Sequence, residues 1–216
     1  MKRSFLLACG LAAVLGGCST PKYASYHSIW GDWRADVPYH WNVMTDHEGT
    51  HFAVTKLIGP FEPSFYLGAP SFSVGYHQYN TAHRLPDGMV EDYSSVDDYI
   101  AQMLRDVYGP NYELVSSLKG HHHDPQGIDE IYVSGRKAKH FTVLSPTPVP
   151  AATKWGTSVN PSTGQLGVVR LHEYAVLPLS KGFYVLVYPA TREGFDLYKK
   201  QFNALLNSFK VLKEGP

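Results

Sequence analysis

The sequence of 216 residues has little cysteine, no excess of charge and no apolar run long enough to cross a membrane as a helix. Its 19 Lys and Arg balance its 19 Asp and Glu, so it lacks the basic surface that nucleic acid requires. Its two cysteines, Cys9 and Cys18, are too few for a disulfide framework. These absences exclude a nucleic-acid-binding domain, a disulfide-rich fold and a bundle of membrane-spanning helices.

Sequence motifs of common enzymes are absent as well. There is no Gly-x-Ser-x-Gly elbow, no His-Glu-x-x-His zinc motif and no phosphate-binding glycine loop. His172-Glu173 lacks the second histidine, four residues further on, that a zinc motif requires. Neighbouring residues in a strand point to opposite faces, so these two side chains would not share a site, and we interpret His172 as a sheet residue. The sequence therefore favours a protein that is not an enzyme and uses no cofactor.

The N terminus has the three zones of an export signal. Lys2 and Arg3 precede the apolar run 5–15, which is too short to span a bilayer as a helix. The run ends in Leu-Gly-Gly-Cys at residues 15–18, which resembles the bacterial lipobox, where a peptidase cuts before the cysteine and lipid is attached to its thiol. We therefore predict a signal peptide at 1–17 and lipidation of Cys18.

Lipidation of Cys18 predicts a location in the bacterial cell envelope. Cleavage would remove Cys9, so the only thiol of the mature chain would carry the lipid. Ser19 follows the cysteine where an aspartate would retain a lipoprotein on the inner membrane, which indicates the outer membrane, with the domain facing the periplasm. Such an anchor holds the chain at the membrane without spanning it.

The rest of the chain indicates one domain at 38–212, preceded by a tether. Residues 18–37 are polar, with scattered aromatic side chains and no periodicity, which predicts a lipidated N terminus and tether. Apolar patterning predicts strands at 40–45, 50–58, 71–79, 129–134, 136–144, 168–179 and 183–188. The last of these is apolar on both faces, which is typical of a strand at the centre of a sheet.

Two segments have helical periodicity. Ser95 can cap the first helix, with Asp97 and Asp98 in its first turn, and Gly109-Pro110 ends it. We interpret the two aspartates as helix-start residues rather than as an acid–base pair. A second helix follows Thr191. Its apolar stripe comprises Phe195, Tyr198, Phe202, Leu205, Leu206 and Phe209.

Residues 145–167 are rich in Pro, Gly, Ser and Thr, which predicts a long loop. Trp155 lies there with little apolar sequence to bury it, and tryptophan is enriched among the residues that dominate interface energy. Two interpretations remain open: Trp155 binds a partner, or it folds back as a lid over the sheet.

One cluster of metal-ligand residue types stands out. His121, His122 and His123 precede Asp124, and imidazole with carboxylate suits zinc or copper. Consecutive residues rarely form a closed site alone, so we favour a solvated loop and predict no metal. A metal-binding lipoprotein that uses residues 121–124 is the alternative.

The C-terminal segment 182–211 resembles the closing strand and helix of the PsbP-like superfamily. The resemblance is carried by the aromatic strand GFYVLVY, an acidic helix start before Phe195, and Asn207-Ser208-Phe209. A weaker similarity extends over 38–212, while the 145–167 insertion and the histidine-rich loop depart from the pattern. The superfamily includes the PsbP subunits of photosystem II, Ran-binding Mog proteins and DcrB-type envelope lipoproteins.

The resemblance implies an α/β (α+β) fold, with a central, mostly antiparallel β-sheet flanked by helices in a three-layer sandwich. It also implies binding and assembly rather than catalysis. We therefore expect a lipid-anchored envelope protein, attached to the membrane through Cys18, that acts as a non-enzymatic binding or assembly module for protein partners in the periplasm.

Overall fold

A computed structural model of the protein describes residues 22–65, 68–85, 88–110, 112–115, 127–148, 157–159 and 166–216. Its two α-helices are α1 (Val96–Met103) and α2 (Phe195–Ser208). Its strands are β1 (Tyr23–His27), β2 (Trp33–Pro38), β3 (Asn42–Glu48), β4 (Phe52–Ile58), β5 (Ser71–Gln78), β6 (His83–Arg84), β7 (Val90–Glu91), β8 (Glu113–Val115), β9 (Asp129–Val133), β10 (Arg136–Pro148), β11 (Thr157–Val159), β12 (Leu166–Pro178), β13 (Gly182–Tyr188) and β14 (Lys210–Val211). Neither helix has the length and apolar character needed to cross a membrane within these ranges.

A long antiparallel sheet forms the middle layer, in the order β3-β4-β5-β13-β12-β10-β8. Strand β9 also pairs with β10, and β11 pairs with β12. Strand β13 lies at the centre between β5 and β12, as its apolar character on both faces predicts. Phe183 contributes to the core on one face and Leu186 to the core on the other.

One face of the sheet packs against α2 and a small second sheet of β1, β2 and β14. Phe202 of α2 lies against Phe72 of β5, with ring centroids 5.3 Å apart. The Tyr188 hydroxyl donates hydrogen bonds to the Gly194 and Phe195 carbonyl oxygens at the start of α2. The helix stripe that the sequence predicts is therefore the inner face of this layer.

The opposite face packs against α1 and a following π-helical segment, Leu104–Tyr108. Ser95 caps α1 as predicted, since its side chain accepts a hydrogen bond from the Asp98 backbone N–H. Tyr99 contacts Phe183 of the central strand at a centroid distance of 5.1 Å. Helix, sheet and helix form three layers, so the predicted α+β fold class is confirmed.

The predicted tether at 18–37 is wrong for its described part. Strands β1 and β2 form an antiparallel hairpin, and Trp33 is only 1% exposed. The Trp33 ring stacks on Phe209 at 5.4 Å, and the Tyr184 hydroxyl donates to Asp32 over 2.6 Å. The folded domain therefore begins near residue 23, because β14 at the end of the chain provides the hairpin with a partner strand.

The predicted loop at 145–167 is also partly wrong. Strand β10 continues to Pro148, β12 begins at Leu166, and β11 lies between them in the chain. Pairing of β10 with β12 extends from Lys139 to Pro148. Strand pairing is made by backbone hydrogen bonds, so this segment can pair without an apolar pattern, although its prolines can only accept such bonds.

Candidate functional site

Strand β3 forms an exposed edge of the long sheet. Every residue of β3 is exposed, and within the described part of the chain its strand partner is β4 alone. Two apolar side chains are among them, Val43 at 41% and Met44 at 60% exposure. An unpaired edge presents a row of backbone N–H and C=O groups to which another strand can bind.

The register of β3 against β4 assigns its side chains to the two faces of the sheet. Val43 lies opposite Leu57, which belongs to the core on the α2 side, and Met44 lies opposite the exposed Lys56. Many natural edges carry lysine, proline or a bulge that prevents further pairing. Strand β3 has neither lysine nor proline, and its charged residues are Asp46 and Glu48.

Three potential metal ligands meet at the end of β3. The ligand atoms of Glu48, His51 and His83 all lie within 4.8 Å of one another. His83 Nδ1 is 2.5 Å from Glu48 Oε2, and His51 Nε2 is 3.6 Å from Glu48 Oε1. The His83 ring stacks on Phe52 with centroids 3.7 Å apart, which fixes its orientation.

The donor set of this cluster matches zinc, for which two histidines and one glutamate leave a fourth position open. Bonds of about 2.0–2.1 Å in a tetrahedral site place ligand atoms roughly 3.4 Å apart. The distance from His51 to Glu48 is close to that value, and the exposed Glu48 side chain would have to move away from His83. Hydrogen bonding from His83 already lowers the pKa of Glu48, so the carboxylate is charged at neutral pH.

Sequence reasoning missed this cluster. The only local signal is that Glu48 and His51 lie three positions apart across the β3–β4 turn. His83 reaches the same place through β6, which pairs with β7 outside the long sheet. That approach depends on a tertiary contact, which no sequence spacing encodes.

A buried ionic network lies on the α2 side of the sheet. Glu173 is 1% exposed, its Oε1 is 2.6 Å from His140 Nε2, and Lys199 Nζ of α2 donates to its Oε2. Burial raises the pKa of Glu173, but the His140 hydrogen bond and the Lys199 charge outweigh burial and hold this pKa below its ordinary value. The network links β10, β12 and α2, so we assign it a structural role.

His172 lies on the other face of the sheet, as the strand spacing predicts. Its Nδ1 is 2.7 Å from the Tyr108 hydroxyl, which is in turn 2.6 Å from the Tyr174 hydroxyl. Burial, with a smaller contribution from the Arg170 charge, lowers the pKa of His172 to about 3. The imidazole is therefore neutral at pH 7, and the interpretation of His172 as a sheet residue is confirmed.

The site residues predicted from the sequence, Cys18 and Trp155, lie outside the described residues, and so do residues 121–124 of the metal-binding alternative. The roles assigned to them remain predictions.

The described fold is a three-layer α+β sandwich whose antiparallel sheet ends in an exposed strand. No protein-family profile and no curated protein sequence matches the chain. It is similar to the solution structure of cyanobacterial PsbP (CyanoP) from Synechocystis sp. PCC 6803, with 11% identity, a TM-score of 0.41, and coverage of 95% of this chain and 98% of that one. It is also similar to a mutant of the protein Mog1, with 13% identity, a TM-score of 0.40, and coverage of 88% and 96%. PsbP and Mog proteins are both members of the superfamily that the C-terminal segment resembles in sequence.

Proposed function

We propose that the protein is a lipid-anchored, non-enzymatic binding module that pairs an extended segment of a partner protein with strand β3. The observation that carries this proposal is the exposure of the whole of β3 at the end of a long sheet. In this mode of recognition, backbone hydrogen bonds supply affinity, and alternate side chains supply specificity.

The side chains of β3 define the chemistry of the partner segment. Val43 and Met44 offer apolar contact on opposite faces of the added strand. Asp46 is exposed and has no ion pair with any other described residue. The matching segment has apolar side chains opposite Val43 and Met44 and a basic side chain near Asp46, since opposite charges stabilise cross-strand pairs.

The proposed location is the outer membrane, with the domain facing the periplasm. The lipobox-like residues 15–18 and Ser19 support it. Because β1 begins at Tyr23, the link from a lipid on Cys18 to the fold reaches at most about 18 Å. The link holds the domain close to the membrane, so partners at or near that surface are favoured.

Charge substitutions in β3 test the proposed function. Val43→Lys and Met44→Lys change exposed side chains, so we expect little loss of stability and a large loss of partner capture from the native envelope. Tyr132→Lys is the matched control, because Tyr132 is 72% exposed on β9, away from β3. Equal capture by all three variants would contradict binding at β3.

A second candidate function, metal binding, is favoured by the cluster of Glu48, His51 and His83. Calorimetry with zinc on the full-length chain tests it. If the cluster is the site, His51→Ala weakens zinc binding at least tenfold, and His47→Ala, on the same hairpin, does not. Loss of binding on changing His121, His122 and His123 to Ala would instead assign the ion to the predicted histidine loop.

A further inference from the structure

A small cavity of about 260 Å³ opens beside the end of β4, the start of β5 and the middle of β12. Its polar lining comprises Lys56, Ser71, Arg170, His172 and Thr191. Its apolar lining comprises Phe65, Ala69, Pro189 and Ala190. None of its lining residues belongs to β3 or to the cluster at Glu48, although Lys56 pairs with Met44 of β3 in the sheet.

The cavity has positive charge without a matching acid. Lys56 and Arg170 both line it, and none of its lining residues is Asp or Glu. Both side chains are cationic, so the lining offers positive charge to an anion.

Within the described part of the chain, the side chain of Arg170 contains an unpaired hydrogen-bond donor. Its Nε atom is buried and has no hydrogen-bond partner among the described residues. Its guanidinium carbon lies 5.1 Å from the centre of the Tyr108 ring, so the side chain is held by packing rather than by an acid. Buried donors are normally paired, and a guanidinium matches a carboxylate with two parallel hydrogen bonds.

Two other polar lining residues are already engaged. The Thr191 hydroxyl donates to the Ser64 carbonyl oxygen and accepts from the Gly194 backbone N–H. His172 contacts the Tyr108 hydroxyl through Nδ1 and is neutral at pH 7. The charge for a ligand therefore comes from Arg170 and Lys56.

We propose that this cavity binds a small organic carboxylate, with its carboxylate group on Arg170 and Lys56 and a short apolar body against Phe65, Ala69 and Pro189. The volume is below that of sites for drug-sized ligands, which begin near about 300 Å³, so the ligand has few heavy atoms. The apolar wall favours an organic acid over inorganic phosphate, which would leave that wall unused.

Calorimetric titration of the full-length chain in detergent with butyrate, and separately with inorganic phosphate, tests the proposal. We expect saturable binding of butyrate at one site, and Arg170→Gln should weaken it about tenfold or more because a charge-assisted pair is lost. Arg192→Gln is the matched control, since Arg192 is exposed and does not line the cavity.

A second variant keeps the proposal testable if Arg170→Gln fails to fold. Lys56→Met changes an exposed strand residue and should also weaken butyrate binding, with an unchanged melting temperature. Three results would overturn the proposal: no saturable binding of butyrate, wild-type affinity in folded Arg170→Gln, or phosphate bound more tightly than butyrate.

Discussion

At the scale of single residues, Glu173 shows how the fold accommodates a buried charge. A carboxylate away from water is costly unless it is paired and hydrogen-bonded. His140 and Lys199 bind one oxygen each, so the charge is compensated by groups from β10 and α2. Removing either partner leaves the carboxylate partly uncompensated.

Lys199→Met tests the Glu173 network. The variant retains the packing of the lysine stem but leaves Glu173 with His140 alone, so the free energy of unfolding at pH 7 should fall by about 3 kcal/mol. Lys200→Met, at the exposed neighbouring position of α2, is the control and should change it by less than about 0.5 kcal/mol. Urea unfolding measures both, and equal values would contradict a structural role for Lys199.

His77, which is partly buried, and the buried His172 predict a pH dependence of stability. Burial lowers the pKa of His77 to about 3, with a smaller contribution from His83, and the pKa of His172 is also lowered to about 3. Below pH 6.5 the unfolded chain takes up protons at these positions that the folded chain does not. Stability should therefore be full above pH 6.5 and decline as the pH falls towards 3.

His77→Phe isolates one of these contributions. His77 already contacts the aromatic rings of Tyr93, Tyr99 and Phe183, so phenylalanine is compatible with its surroundings. The slope of unfolding free energy against pH between 7 and 5 should decrease by up to about 1.4 kcal/mol per pH unit. A slope equal to that of the wild type would show that His77 is accessible to protons in the folded state.

At the scale of secondary-structure elements, the β1–β2 hairpin belongs to the core. Trp33→Ala should lower the free energy of unfolding by about 3–5 kcal/mol, because it removes a buried ring from contacts with Phe209 and Tyr26. Trp30→Ala is a control in the same hairpin, where the ring is partly exposed and contacts His47. Similar small losses for both variants would restore the interpretation of this segment as a tether.

Elements with a strong local pattern were predictable from the sequence. Strand β13 has apolar residues on both faces, α1 has Ser95 before its first turn, and the β9–β10 turn has Gly135 in the left-handed region at φ 73°. The β1–β2 hairpin and β11 were not predictable from their side chains. The hairpin is completed by β14, which comes from distant sequence, and β11 is a strand of three residues without an apolar pattern that pairs with the next strand, β12, through its backbone.

The candidate sites follow the same division. The exposure of β3 depends on the order of strands in the sheet, which the alternation of side chains within a strand does not reveal. His83 and Arg170 reach their clusters from parts of the chain far from Glu48 and Lys56. Sequence patterns identified candidate residues within single segments, whereas each of these sites combines several segments.

At the scale of the whole molecule, the account depends on anchoring through Cys18. Cys18→Ala should prevent lipidation and the lipoprotein-specific cut, so that the protein is recovered as uncleaved precursor or in the soluble periplasmic fraction. Fractionation with mass spectrometry of the N terminus measures this. Cys9→Ala is the control and should leave processing unchanged, because Cys9 lies inside the predicted signal peptide. Recovery of correctly processed Cys18→Ala in membranes would contradict the anchor.

The central claim is that strand β3 binds a partner segment, and site-specific photo-crosslinking in the native envelope tests it most directly. A photoreactive side chain replaces Met44, whose side chain is 60% exposed, and in a parallel sample it replaces Tyr132 on β9. The account predicts one defined crosslinked protein from position 44 that is lost when Val43→Lys is added, and no such product from position 132. Absence of a crosslink from position 44, or its persistence with Val43→Lys, would contradict the account.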